Sequence, residues 1–303
     1  MNGSCGRIAD PITIERDPSR PALAKRPSAR STLPRLSGNI LPVSNGPNPL
    51  TSPLFDTAGF RHAFFSCEGG VSTGPYATLN FSYSVGDEPH NVAENFARAA
   101  AWLGISPDGL YFAQQVHGKD AVTLRSDLTS EAVRFMQADA IVGSSSEQAC
   151  CVRTADCVPV LVADRVSGQV AAIHAGWRGV AGGIVPATLL RLFDTGCKPE
   201  NLIACVGPHI RVGAFEVSEA VAEHINQATP GFDVVRRTPG QLPHVSLAES
   251  LIEQLRRAGV GHNQVEDVGG CTFTQADRFF SYRRSGQTCG RHLHAILPRG
   301  SHR

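Results

Sequence analysis

From about residue 54 onward, apolar residues recur in two rhythms. Residues 157–164 (CVPVLVAD) and 169–174 (QVAAIH) are short apolar runs split by the turn RVSG, which predicts two antiparallel strands. Residues 60–66 (FRHAFFS), 110–118 (LYFAQQVHG), 139–145 (DAIVGSS) and 202–210 (LIACVGPHI) are further strand candidates, and 279–284 (FFSYRR) closes the set. Apolar residues at helical spacing mark 91–105, ended by Gly104, and 180–196, ended by Gly196. Residues 218–228 and 247–260 complete the helices. Strands interleave with helices, yet the short turns also call for hairpins. The chain is therefore expected to be α/β, of the α+β type, with mixed rather than purely parallel sheets.

Residues 1–50 break both rhythms. They are rich in Pro, Ser, Arg and Asn and carry seven Arg/Lys against three acids. Such a segment buries too little apolar surface to offset its ordering entropy, so a disordered extension is expected. One catalytic domain is expected over 54–298, with 299–303 as a tail. A net charge of +1 leaves no electrostatic footprint for nucleic acid. No apolar run approaches a membrane span, and no secretory h-region opens the chain. Nine cysteines without a C-x-x-C pair point to a reducing compartment, hence a cytoplasmic protein with free thiols. No heptad or long apolar stripe is evident, and a monomer is expected.

One detail does not fit a plain core strand: the run 169–174 ends on His174, at the lip of the glycine-rich AGWRGV. If Asp164 pairs with Gln169 across the hairpin, Pro159 lies opposite His174. Cys157 then shares a face with His174, as a diagonal pair about 7–8 Å apart at Cα. A slip of one residue would separate them. His117, at the end of its own candidate strand, is the natural third ligand. A Cys/His/His set suits Zn²⁺ and leaves a fourth position open. The plain alternatives stand beside this: a histidine bonded at the surface, and a cysteine packed as a small hydrophobe.

The residues also follow a known order. HAFFSCEGGVSTGPYATLNF, QQVHG, ADAIV, TADCVPVLVAD, AAIHAGWRGVAGGI, CVGPHI and CTFTQADRFFSYRRSGQTCGR succeed one another over residues 54–298. Together they closely resemble the YfiH family, also known as the multicopper polyphenol oxidoreductase (laccase) domain or peptidoglycan editing factor family. The resemblance implies a layered α/β sandwich. It also implies a catalytic zinc on His117, Cys157 and His174, all intact here. The activity it implies is phosphorolysis of adenosine, inosine and 5′-methylthioadenosine, together with adenosine deamination.

Each implied reaction asks for particular groups. Deamination needs water activated by the metal and a carboxylate to carry protons. Asp139 ranks ahead of Asp156, because strand parity turns Asp156 away. Phosphorolysis needs an anion site. Arg178 among Gly176, Gly179, Gly182 and Gly183, just ahead of a helix, is one candidate, and Arg283, Arg284 and Arg291 form another. Asn80 is a candidate contact for ribose or base. The chain departs from the family pattern at Cys67, where an arginine is usual, and at Cys289, where threonine is usual. Two other functions stay open: a Cys157–His174 hydrolase acting on peptidoglycan, and a copper phenol oxidase. The second is discounted because one His-Cys-His set is too small for a multicopper cluster.

Overall fold

The computed structural model describes residues 46–299. The expected disorder of 1–50 and the tail at 299–303 thus lie largely outside the described residues. Leu50 is already part of the fold: it and Phe64 each donate N–H to the other's carbonyl at 3.0 Å.

Two sheets are stacked. The smaller runs β1 (His62–Phe64), β12 (His292–Ile296), β5 (Ala149–Thr154), β2 (Leu110–Tyr111). The larger runs β11 (Val265–Asp267), β8 (Leu202–Val206), β6 (Val158–Asp164), β7 (Val170–Ala175), β4 (Ala140–Gly143), β3 (Ala121–Thr123). Both are mixed. β6 pairs antiparallel with β7 and β8, whereas β3 with β4 and β11 with β8 are parallel. A separate short pair joins β9 (Val235–Arg236) to β10 (His244–Val245).

Strand alternation sorts the layers. In β6, Val158, Val160 and Val162 face α5 (Ile184–Phe193), α6 (Glu219–Gln227) and α7 (Leu247–Arg257). Leu161 and Ala163 face the other way, onto Cys150, Val152 and Ile296 of the smaller sheet. Beyond that sheet lies α2 (Pro89–Leu103), packed through Val92, Phe96, Ala99 and Leu103. The result is a four-layer helix–sheet–sheet–helix sandwich, as expected. Leu161 and Ile173 are fully buried on opposite faces of the larger sheet, where truncation to Ala costs about 2–5 kcal/mol. The short helices are α1 (Pro53–Thr57), α3 (Ser130–Arg134), α4 (Trp177–Gly182) and α8 (Tyr282–Ser285). No helix among the described residues is long and apolar enough to cross a membrane.

Three elements differ from the sequence expectation. The helix expected over 180–196 is two helices, because Gly183 adopts φ 78° and closes α4 before α5 begins. Residues 279–284 are not a strand: Ser281 caps α8, its hydroxyl accepting from Arg284 N. The strand expected to carry His117 ends at Tyr111, so His117 sits in a loop.

Candidate metal centre and the cavity over it

The β6–β7 register decides whether Cys157 and His174 share a face. Pro159 pairs with His174, the alignment on which the diagonal Cys157–His174 pair depends. His174 has the parity of Val170 and Ala172, so it projects between the two sheets. Cys157 precedes β6 by one residue. His117 arrives from the loop after β2 with φ 61°. The three donor atoms lie within 4.8 Å of one another, with Cys157 Sγ 3.8 Å from His117 Nε2. Exposure is graded, from exposed His117 through half-buried Cys157 to buried His174. The cluster therefore has a closed floor and an open side.

Asp139, at the entry to β4, organises this set. Its Oδ1 accepts from His174 Nδ1 at 2.8 Å and from His117 N at 2.9 Å. Its Oδ2 accepts from Gly118 N at 2.6 Å and Val116 N at 3.2 Å. A single buried carboxylate thus orients the His174 ring and pins His117 in a left-handed conformation that a non-glycine residue seldom adopts. The bond at Nδ1 leaves Nε2 of His174 as the nitrogen free for an ion. Gly176 is required at close range: a Cβ there would lie 2.6 Å from His117 Cδ2 and 3.2 Å from Cys157 Sγ.

Charge is balanced within the cluster. Burial works against ionising Cys157, but His174 and His117 outweigh it and hold the thiol down at about 6. Burial likewise opposes charge on His174, while Cys157 and Asp139 raise it to about 9. Such donors fit a zinc ion. Bond lengths of about 2.3 Å to S and 2.0–2.1 Å to N at tetrahedral angles put S and N about 3.6 Å apart. The 3.8 Å separation of Cys157 and His117 is close to that figure.

A cavity of about 680 Å³ opens over the cluster. Arg178, Arg283 and Arg291, expected from sequence, line it. Each guanidinium lies over an aromatic ring: Arg178 on Trp177 at 4.6 Å, Arg283 on Phe215 at 5.2 Å, and Arg291 on Tyr282 at 5.7 Å. Asn80 does not line it. That residue is fully buried, its amide donating to Ser82 O and Asp87 Oδ2 and its Oδ1 accepting from Ser82 N and Arg291 N. Gly176 and Gly179 are not lining residues either. Gly179 is there for close packing, since a Cβ would meet Gly118 O at 3.0 Å. Asp156, at φ 94°, accepts from Thr272 Oγ1 at 2.7 Å and Arg283 N at 2.6 Å, and so ties the C-terminal loop to the cavity wall. Cys67 and Cys289, the two departures from the family pattern, pack together with Ala155 and Phe280.

Sequence reasoning missed Arg153, Gln115, Trp177 and Phe215 in this lining. For Arg153 a signal existed: it is the one charged residue in the largely apolar strand ACCVRT.

Comparison with known proteins agrees with the fold and places the chain among relatives. The family described as "Multi-copper polyphenol oxidoreductase laccase" matches residues 61–299. A purine nucleoside phosphorylase of Deinococcus radiodurans is 41% identical over 239 residues, 78% of this chain and 89% of the relative. Purine nucleoside phosphorylase YfiH of Escherichia coli is 38% identical over 226 residues, 74% and 87% of the two chains. Among solved structures, YlmD from Geobacillus stearothermophilus superposes with a TM-score of 0.78 at 30% identity, covering 84% of this chain and 97% of that one.

Proposed function

The chain belongs to the YfiH family of laccase-domain proteins, and from that premise we propose that it is a zinc-dependent purine nucleoside phosphorylase. The observation that carries the reading is the His117–Cys157–His174 set, organised by one buried carboxylate, on the floor of an arginine-rich cavity. Zinc held there supplies Lewis acidity and acidifies a water to near neutrality. Copper in a multicopper cluster is disfavoured, because a single group of three donors occurs among the described residues.

In phosphorolysis the N9–C1′ bond breaks, a phosphate oxygen bonds to C1′, and the departing purine keeps the electron pair. The chain's own residues bind and orient. Trp177, Phe215 and Tyr282 offer flat surfaces for a purine, and the arginines offset the phosphate charge. Asp139 is a positioning residue, since both its oxygens are taken by His174 and by backbone donors. That leaves deamination as the subsidiary activity. The lining carboxylate that could carry protons, Asp156, already accepts from Thr272 and Arg283.

One geometric fact favours a second reading. Asp139, His174 and Cys157 also follow one another as a Cys-His-Asp hydrolase triad would, with the thiol poised as thiolate. Bound zinc would occupy that sulfur, so the two readings exclude each other. The test is to incubate the purified protein with adenosine, inosine or methylthioadenosine, with and without phosphate, and separate the products. Phosphate-dependent release of free base is expected. Turnover of a peptidoglycan peptide with no nucleoside turnover would replace this reading with the hydrolase.

A further inference from the structure

Arg153 leaves the apolar strand β5 and reaches the cavity wall, where its guanidinium lies 4.6 Å from the centre of the Phe112 ring. Arg134, from α3, lies over the same ring at 5.0 Å. Arg291 lines the same cavity. Among the described residues none of these three has a carboxylate within salt-bridge distance, although arginines elsewhere, such as Arg211 with Asp267 and Arg256 with Glu253, are paired.

Arg291 spends Nη1 on Cys289 O at 2.8 Å and Gly290 O at 3.0 Å, but the hydrogen bonding of the other two is incomplete. Arg153 and Arg134 each bury Nε without a partner. Arg153 donates one long bond of 3.4 Å, from Nη1 to Phe81 O. Its backbone, by contrast, is clamped, with Gln115 accepting from Arg153 N at 2.8 Å and donating to Arg153 O at 2.7 Å. The backbone that carries the guanidinium is therefore fixed. Burial first, and then Arg291 and Arg134, lower the Arg153 guanidinium to about 10. Like charges gathered on a wall of low polarity destabilise the empty protein. Ser82 and Ser84, their hydroxyls 3.2 Å apart, line the same cavity and can donate as well.

We propose that Arg153 and Arg291, backed by Arg134, form a subsite for a tetrahedral oxyanion in the wall of the cavity. A phosphate group satisfies the guanidinium donors and neutralises the cluster together. This moves the anion site away from Arg178, which lies over Trp177, and from Gly176, which packs against His117 and Cys157. Its purpose rests on the phosphorolytic reading. Its existence does not, because binding is read without turnover.

The chemistry has two sources, free phosphate or the phosphate ester of a nucleotide. Inorganic phosphate, adenosine and adenosine 5′-monophosphate are therefore titrated calorimetrically into the full-length chain, into Arg153→Met and into Cys157→Ala. Phosphate is expected to bind the wild type and Cys157→Ala within about twofold of each other, and Arg153→Met at least about tenfold more weakly. A monophosphate that binds at least about tenfold tighter than adenosine, with free phosphate weak, assigns the subsite to an ester. The reverse assigns it to the co-substrate. Thermal melting supplies a readout that a purely structural arginine would not share. Without phosphate, Arg153→Met should melt higher than wild type, and phosphate should raise the wild-type midpoint but not the variant's. Unchanged phosphate and monophosphate binding in Arg153→Met, or a lower melting midpoint with no loss of binding, overturns the subsite. Absence of phosphate-dependent nucleoside turnover in the wild type, with its phosphate binding intact, would overturn the phosphorylase reading instead.

Discussion

His174 donates from Nδ1 to Asp139 Oδ1 across 2.8 Å, and the same oxygen accepts the backbone N–H of His117 at 2.9 Å. Two of the three candidate ligands thus hang from one carboxylate oxygen. Replacing Asp139 by Asn sets an amide N–H₂ against donors on at least one side. Zinc affinity should fall by about 10–100-fold in a competition assay with a chromophoric chelator. Stability should fall as well, by about 1–3 kcal/mol in urea unfolding, since backbone donors lose their acceptor. An Asp139→Asn protein that binds metal like wild type would remove Asp139 from the account.

Gly176 offers a test that leaves every ligand in place. The Cβ of Gly176→Ala would press on the His117 ring, at 2.6 Å from Cδ2, so His117 must move. Gly176 has φ −74°, which alanine adopts without strain, so the backbone should tolerate the change. The expected result is a folded protein, by circular dichroism, with its metal content largely lost. Full metal occupancy would show that His117 is not a ligand.

Four buried histidines set the acid limit of the fold. Burial lowers His62, brings His209 to about 4 and His292 to about 3, and puts His294 well below its ordinary value. His292 Nε2 accepts from Phe280 N at 2.9 Å, a bond that requires an unprotonated nitrogen. Below about pH 6.5 the unfolded chain takes up protons that the folded chain refuses, so stability falls as pH falls. The loss begins near the unfolded value and runs down to the folded ones, at up to about 1.4 kcal/mol per pH unit for each histidine. Urea unfolding between pH 7.5 and 5 should show it, and a flat profile would contradict the burial of these rings as neutral groups.

That His117, Cys157 and His174 come together could largely be read from the chain, because it rests on local pattern. The turn RVSG fixes the hairpin register, and register alone brings Cys157 and His174 together. What could not be read depends on distant contacts. The TLNF motif suggested a substrate contact for Asn80, yet Asp87, Asn95 and Arg291 enclose it, from three separate segments. Asp139 was found but given a proton-carrying part, because only the fold shows both oxygens engaged. Arg178 does line the cavity, but the single helix expected behind it breaks at Gly183. Arg153 shows the converse case. A charge in an apolar strand was visible, but its company with Arg134 and Arg291 comes from β5, α3 and the C-terminal loop meeting in space.

The most direct measurement is elemental analysis of the full-length protein purified without added metal, beside Cys157→Ala prepared in the same way. About one zinc per chain is expected in the wild type and none in the variant, with a Cys157 thiol that resists alkylation until a chelator removes the ion. A metal-free wild type whose Cys157 is alkylated rapidly at neutral pH would contradict the metal centre and leave the thiolate–imidazolium pair as the site's chemistry.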